Sequence, residues 1–183
     1  MTWLNTMLIL AVALLVIFLE ATVGGIRHWL GAQVDWLPGL MVYVGLSSKV
    51  GVVAVVAVIS GLCYDAVSAN PLGVSVLPLF FVGLVIHLKR QLILRDQVFA
   101  QLVLGFAASA AVPLLTVLLL LSSGAEPLIG WRSLWQWLVM SVGGAAFTPV
   151  CFWLFDRVRR ALSYQRLSET TFRPDREIER GRR

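Results

Sequence analysis

Charged residues are scarce in this sequence of 183 residues: Asp, Glu, Lys and Arg make up 14%, against 58% for hydrophobic residues. Soluble globular proteins carry about 25% charged residues, and the mean hydropathy here is +0.84. The first 19 residues contain no charged side chain at all. These shortages predict that lipid rather than water surrounds most of the chain, which argues against a soluble domain.

Cysteine and histidine are also few, with two of each. Cys63 and Cys151 lie far apart in apolar stretches without a CxxC spacing, and His28 and His87 stand alone. We therefore expect no zinc site, no disulfide framework and no cofactor. HExxH, GxSxG, paired intramembrane aspartates and a phosphate-binding glycine loop are all missing from the sequence. Because catalysis needs such positioned groups, we predict that the protein is not an enzyme.

Long apolar segments are what the sequence does have. A helix needs about 20 apolar residues to cross a hydrocarbon core of roughly 30 Å, and six candidates cover residues 3–23, 36–48, 47–66, 71–88, 98–121 and 133–155. They are too long and too uniformly apolar for the alternating strands of a membrane barrel. We predict an all-α integral membrane protein, a bundle of about six transmembrane helices over residues 1–160. Small residues four apart, such as Gly144 and Thr148, are expected to mark helix contacts.

The distribution of Lys and Arg predicts the orientation, since these residues concentrate on the cytoplasmic side. Nine of the 15 follow Asp156. Six spans place 13 Lys and Arg residues on the cytoplasmic side and two outside. If segment 36–48 is re-entrant, 14 of these residues are cytoplasmic and one is outside. Both alternatives put the C-terminus in the cytoplasm. Six spans, which we prefer because the Ser47–Gly51 break reads as a compact cytoplasmic turn, put the N-terminus there too.

Two basic regions follow from this orientation. Residues 161–183 are predicted to form a basic, partly disordered cytoplasmic tail, which favours a lipid surface over nucleic acid as its neighbour. Lys89, Arg90 and Arg95 form a cytoplasmic basic loop after the fourth segment. That loop is either an ordinary positive-inside loop or a docking site for a cytoplasmic partner.

A polar corner separates the third and fourth segments and contains Gly61, Asp65, Asn70, Pro71, Leu72 and Gly73. Pro71 suits the first turn of a helix because it has no N–H group to leave unpaired. Asp65 or Asn70 can accept hydrogen bonds from the N–H groups of the following helix. Asp65 either stabilises only this hairpin or also faces a polar cleft or a partner subunit. The other acid near a span, Glu20, is expected to snorkel or to meet Arg27.

The string Gly61-xxx-Asp65 followed by Pro71-Leu72-Gly73 resembles the central motif of the MreD family of rod shape-determining proteins, and the layout agrees over about residues 1–160. Ala69-Asn70 depart from the Gly or Ser and Thr that often precede this Pro-Leu-Gly. The resemblance implies a non-enzymatic scaffold subunit of the bacterial cell-elongation machinery for peptidoglycan synthesis, in the cytoplasmic membrane. It implies binding to MreC and, indirectly, to MreB, RodA and the penicillin-binding transpeptidase of RodA.

The same family is similar in fold to the substrate-binding subunits of energy-coupling-factor vitamin transporters. The alternative function is therefore a solute-binding membrane subunit of such a transporter. A solute pocket needs several convergent polar groups, and the apolar segments of this sequence offer few.

Overall fold

The computed structural model describes residues 2–22, 34–68, 71–91, 93, 97–124 and 130–167. Within these ranges every regular element is a helix. The six helices are α1 (Thr2–Thr22), α2 (Leu37–Ser47), α3 (Val50–Val67), α4 (Val76–Lys89), α5 (Val98–Ser122) and α6 (Trp131–Leu167). The chain divides into two units, Met1–Cys151 and Phe152–Arg183. The prediction of an all-helical membrane protein is confirmed.

Helix length separates the six elements into two groups. Four of them, α1, α3, α5 and α6, are long and apolar enough to cross a membrane by length and composition. The other two are short: α2 has 11 residues and α4 has 14. At 1.5 Å per residue these measure about 16 Å and about 21 Å, less than the roughly 30 Å of a hydrocarbon core. The choice between five and six spans stays a prediction.

Helix α2 is buried on every side. All its residues from Leu37 to Leu46 are buried, and it packs against α1, α3, α4 and α5. A helix that is apolar all round belongs in a protein interior or in lipid, and here neighbouring helices supply the apolar surroundings. The first unit is therefore built around α2.

Glycines set the closest approaches to α2. A Cβ atom on Gly39 would lie 3.0 Å from Thr148 Oγ1 of α6, and one on Gly45 would lie 2.8 Å from the carbonyl oxygen of Gly83 in α4. Added Cβ atoms at Gly105 of α5 and Gly144 of α6 would meet Thr148 and Ser109. The predicted contact role of Gly144 and Thr148 is confirmed.

Two helix boundaries differ from the apolar segments of the sequence. The fourth helix begins at Val76 rather than near Pro71, because residues 72–75 form a turn. Pro71 therefore lies before that turn and outside the first turn of a helix, contrary to the prediction. The sixth helix continues beyond residue 155 to Leu167, so the start of the predicted tail is helical; the remainder of the tail lies outside the described residues.

We expect Gly45→Ala to destabilise the protein by about 1–3 kcal/mol, the usual cost of overpacking, because the new methyl group meets the backbone of α4. Gly51→Ala is the matched control: nothing lies within 4 Å of a Cβ atom there, and Ala favours a helix over Gly. Thermal unfolding in detergent measures both. Equal midpoints for the two variants would contradict the close approach of α2 and α4.

The Asp65 corner as candidate functional site

Asp65 ties the end of α3 to the start of α4. Its side chain is 1% exposed, and its Oδ2 accepts hydrogen bonds from the backbone N–H groups of Gly73 at 2.8 Å and Ser75 at 3.1 Å. Its Oδ1 accepts from the Ser75 hydroxyl at 2.5 Å. Hydrogen bonds to an ionised group are among the stronger ones in proteins. One carboxylate thus holds the turn through three donors.

The two glycines of the motif serve this arrangement in different ways. A Cβ atom on Gly61 would lie 2.8 Å from Val76 Cγ2 and 2.9 Å from Val76 Cα, so Gly61 permits α4 to begin against α3. Gly73 has a φ of +92°, which L side chains rarely adopt. Nothing lies within 4 Å of a Cβ atom on Gly73. Glycine is therefore needed at position 73 for its backbone conformation and not for lack of space. In this conformation the Gly73 N–H group points at the Asp65 carboxylate.

The other predicted site residues lie away from this carboxylate. Pro71 is exposed, as is Leu72 at 71%. Lys89 and Arg90 are exposed at the opposite end of α4. Asn70 and Arg95 lie outside the described residues. The structure therefore brings together Gly61, Asp65 and Gly73 and separates them from the basic loop by the length of a helix.

A second pair of carboxylates lies at the start of α2; one of them, Glu20, was named in the sequence analysis, but Asp35 and the role of both at this helix start were missed. Glu20 Oε1 accepts from the Trp36 N–H at 2.6 Å, and Asp35 Oδ1 accepts from the Leu37 N–H at 3.0 Å. The next residue, Pro38, has no N–H to satisfy. Asp35, directly before the proline-led apolar segment, was the available signal, because a buried helix start needs acceptors.

The expectation that Glu20 snorkels is wrong. Its Oε2 atom is buried and has no hydrogen-bond partner within the described ranges, while its Oε1 is bound to the start of α2. Arg27, the other expected partner, lies outside the described residues. Glu20 therefore points into the protein rather than toward the membrane surface.

The two groups of carboxylates influence a common neighbour. Tyr64 interacts electrostatically with Asp35, Glu20 and Asp65. Burial raises the pKa of Asp35 from its ordinary value of 3.8 to about 7, against the opposing effect of the Leu37 hydrogen bond. Three carboxylates are thus gathered at one end of the short helices, and burial makes one of them, Asp35, harder to ionise than a free aspartate.

The remaining chemically reactive groups are isolated. Cys63 and Cys151 are free thiols. Among the residues the structure describes, no three His, Cys, Asp or Glu side chains are grouped so that they could hold a metal ion. The corner's described chemistry is hydrogen bonding between carboxylates and backbone.

Comparison with known families identifies the family of the chain. The family model described as rod shape-determining protein MreD matches residues 1–158, nearly the whole chain. The chain belongs to the MreD family. No curated protein and no solved structure matches it. The resemblance read from the Asp65 motif is therefore confirmed, whereas the similarity in fold to transporter subunits stays a prediction.

We expect Asp65→Ala to cost about 3 kcal/mol of stability, because it leaves buried N–H groups without acceptors. Asp65→Asn should cost less than about 1 kcal/mol, since its oxygen can accept from Gly73 and Ser75 while its amide donates to the Ser75 hydroxyl. In thermal unfolding in detergent, we expect the midpoint to fall in the order wild type, Asp65→Asn, Asp65→Ala. An alanine variant as stable as the asparagine variant would show that the corner does not depend on these bonds.

The raised pKa of Asp35 predicts a pH dependence. The folded protein holds this proton more tightly than the unfolded chain, so the contribution of Asp35 to stability is greatest below pH 4 and falls as the pH rises to about 7. Asp35→Asn keeps an acceptor for Leu37 and removes the ionisation. We expect it to raise the unfolding midpoint at pH 8 and to flatten the profile between pH 4 and 7. An unchanged profile would contradict the burial of an ionisable Asp35.

Proposed function

We propose that this protein is a non-enzymatic scaffold subunit of the bacterial cell-elongation machinery. In this role it binds MreC in the membrane and, through MreC, organises MreB, RodA and the penicillin-binding transpeptidase during peptidoglycan synthesis. Membership of a rod shape-determining family is the observation that carries the proposal. That membership makes the protein a shape-determining membrane protein; the partners and the absence of catalysis are the proposed steps beyond it.

The described structure supports a scaffold through its rigid construction. Both oxygen atoms of the Asp65 carboxylate accept hydrogen bonds from Gly73 or Ser75. The carboxylates of Glu20 and Asp35 are likewise bound to backbone N–H groups. Side chains bound in this way fix the relative positions of helices, which is what a surface for other membrane proteins requires.

The proposed setting is the cytoplasmic membrane, crossed several times. The count of Lys and Arg supports a cytoplasmic C-terminus, because nine of the 15 follow Asp156. Lys49, Lys89 and Arg90 then share that side. This leaves the Asp65 corner and the start of α2 at the outer ends of their helices.

Deletion and copurification test the proposed function. In a rod-shaped host, we expect loss of this protein to give rounded cells, the intact gene to restore rods, and the tagged protein to retain MreC in mild detergent. Gly51→Ala should behave as wild type, because its methyl group meets open space. Asp65→Asn separates folding from function: if it accumulates normally but fails to restore rods, Asp65 serves a partner as well as its hairpin.

Two results would contradict the proposal. If cells stay rod-shaped after deletion of the gene, the protein has no role in elongation. A correctly folded, membrane-inserted protein that never retains MreC would leave the shape function without the proposed scaffold contact.

A further inference from the structure

One face of α4 is an exposed apolar stripe. It consists of Leu77, Phe81, Val85 and Leu88, which are 59%, 56%, 41% and 68% exposed. Residues spaced three and four apart share a helix face. The opposite face is buried against the rest of the first unit through Leu79, Val82, Gly83 and Ile86, among others.

This stripe is short: it ends at a non-helical turn, residues 72–75, on one side and at exposed charges on the other. Leu77 and Leu88 are separated by about 17 Å at helical rise, and the whole helix measures about 21 Å. Beyond one end lies the turn held by the Asp65 carboxylate. Beyond the other end Lys89 and Arg90 are exposed. Tilting the helix would shorten its height across a membrane further.

Helix α2, which packs beside α4, is short as well. Asp35 precedes it and Lys49 follows it, with only 11 helical residues between them. The two helices are in register at the basic end, since His87 Nδ1 lies 3.2 Å from the carbonyl oxygen of Gly45. Asp35 and Lys49, at the two ends of this enclosed helix, are therefore about 20 Å apart.

The neighbouring helix α5 provides a contrast. Its 25 residues carry no charge and measure about 37 Å, enough for an ordinary bilayer. Leu114, near its middle, is 58% exposed. The protein thus presents a long apolar face at α5 and a short one at α4.

A bilayer of ordinary thickness cannot match both faces. At α4 its hydrocarbon would cover either the non-helical turn of residues 72–75, whose irregular backbone is unfavourable in lipid, or the exposed Lys89 and Arg90, each costing about 2.5–3.5 kcal/mol when placed deep in the membrane. Thinning the bilayer costs only fractions of a kcal/mol per Å of mismatch. We propose that the α4 stripe contacts a locally thinned bilayer and binds phospholipids with short acyl chains in preference to long ones. This inference rests on the proposed orientation, in which α4 crosses the membrane, and goes beyond the scaffold function.

Lipid competition at a single site tests the proposal. The full-length protein carries Cys63→Ser and Cys151→Ser, and a bimane label on Phe81→Cys in the middle of the stripe. It is reconstituted with brominated dioleoyl phosphatidylcholine, which quenches the label on contact. Unbrominated phosphatidylcholines of different chain lengths then compete. We expect dimyristoleoyl lipid to relieve quenching with about threefold higher affinity than dierucoyl lipid, a difference of about 0.7 kcal/mol.

A label on Leu114→Cys is the matched control, because that position is equally exposed on the long helix α5. No preference for the shorter chain is expected there. Equal affinities at both labels, or a preference for dierucoyl lipid at the Phe81 position, would overturn the proposal. Absence of quenching at the Phe81 position would overturn it too, since a second protein surface would then cover the stripe.

Two double variants separate length from charge. Lys89→Leu with Arg90→Leu extends the stripe by about 3 Å and should move the preference toward longer chains. Lys89→Ser with Arg90→Ser removes the same charges without extending the stripe and should keep the wild-type preference. If both variants shift alike, charge rather than length sets the preference and the proposal fails. MreC binding is not involved in these measurements, so their failure leaves the scaffold function standing.

Discussion

Backbone N–H groups at the start of a helix have no partner within that helix, and burying them unpaired is costly. The two short helices of this protein both begin where water is largely excluded, and carboxylates supply the missing acceptors. Glu20 and Asp35 serve α2, and Asp65 serves the turn into α4. The positions of both helices depend on this pairing, and so do the helices that pack around α2.

Much of this architecture could be predicted from the sequence. Apolar segments with few charges predicted six helices, because few other structures satisfy their backbone in lipid. The spacing of Gly61, Asp65 and Gly73 marked the corner, since it combines a close approach, an acceptor and a positive φ. These residues are close in sequence, so a short motif could mark the corner, although it did not predict where α4 begins.

The rest depended on contacts that hydropathy does not encode. The start of α4 moved to Val76 because Asp65 captures the Gly73 and Ser75 N–H groups, and a hydrophobicity profile reads the turn as helix. Glu20 was assigned to the membrane surface because its partner, the Trp36 N–H group, lies 16 residues later in the chain. The full burial of α2 likewise needed its neighbours, since its composition suits lipid and protein interior equally well.

The enclosure of α2 also constrains how the protein is made. Its neighbours α4 and α5, and Thr148 of α6 beside Gly39, are all synthesised after it. When only the first helices have been synthesised, α2 is an apolar helix of 11 residues. It is shorter than the hydrocarbon core of a bilayer and still lacks the helices that later enclose it. The enclosure of α2 is thus completed only once the residues around Thr148 have been synthesised.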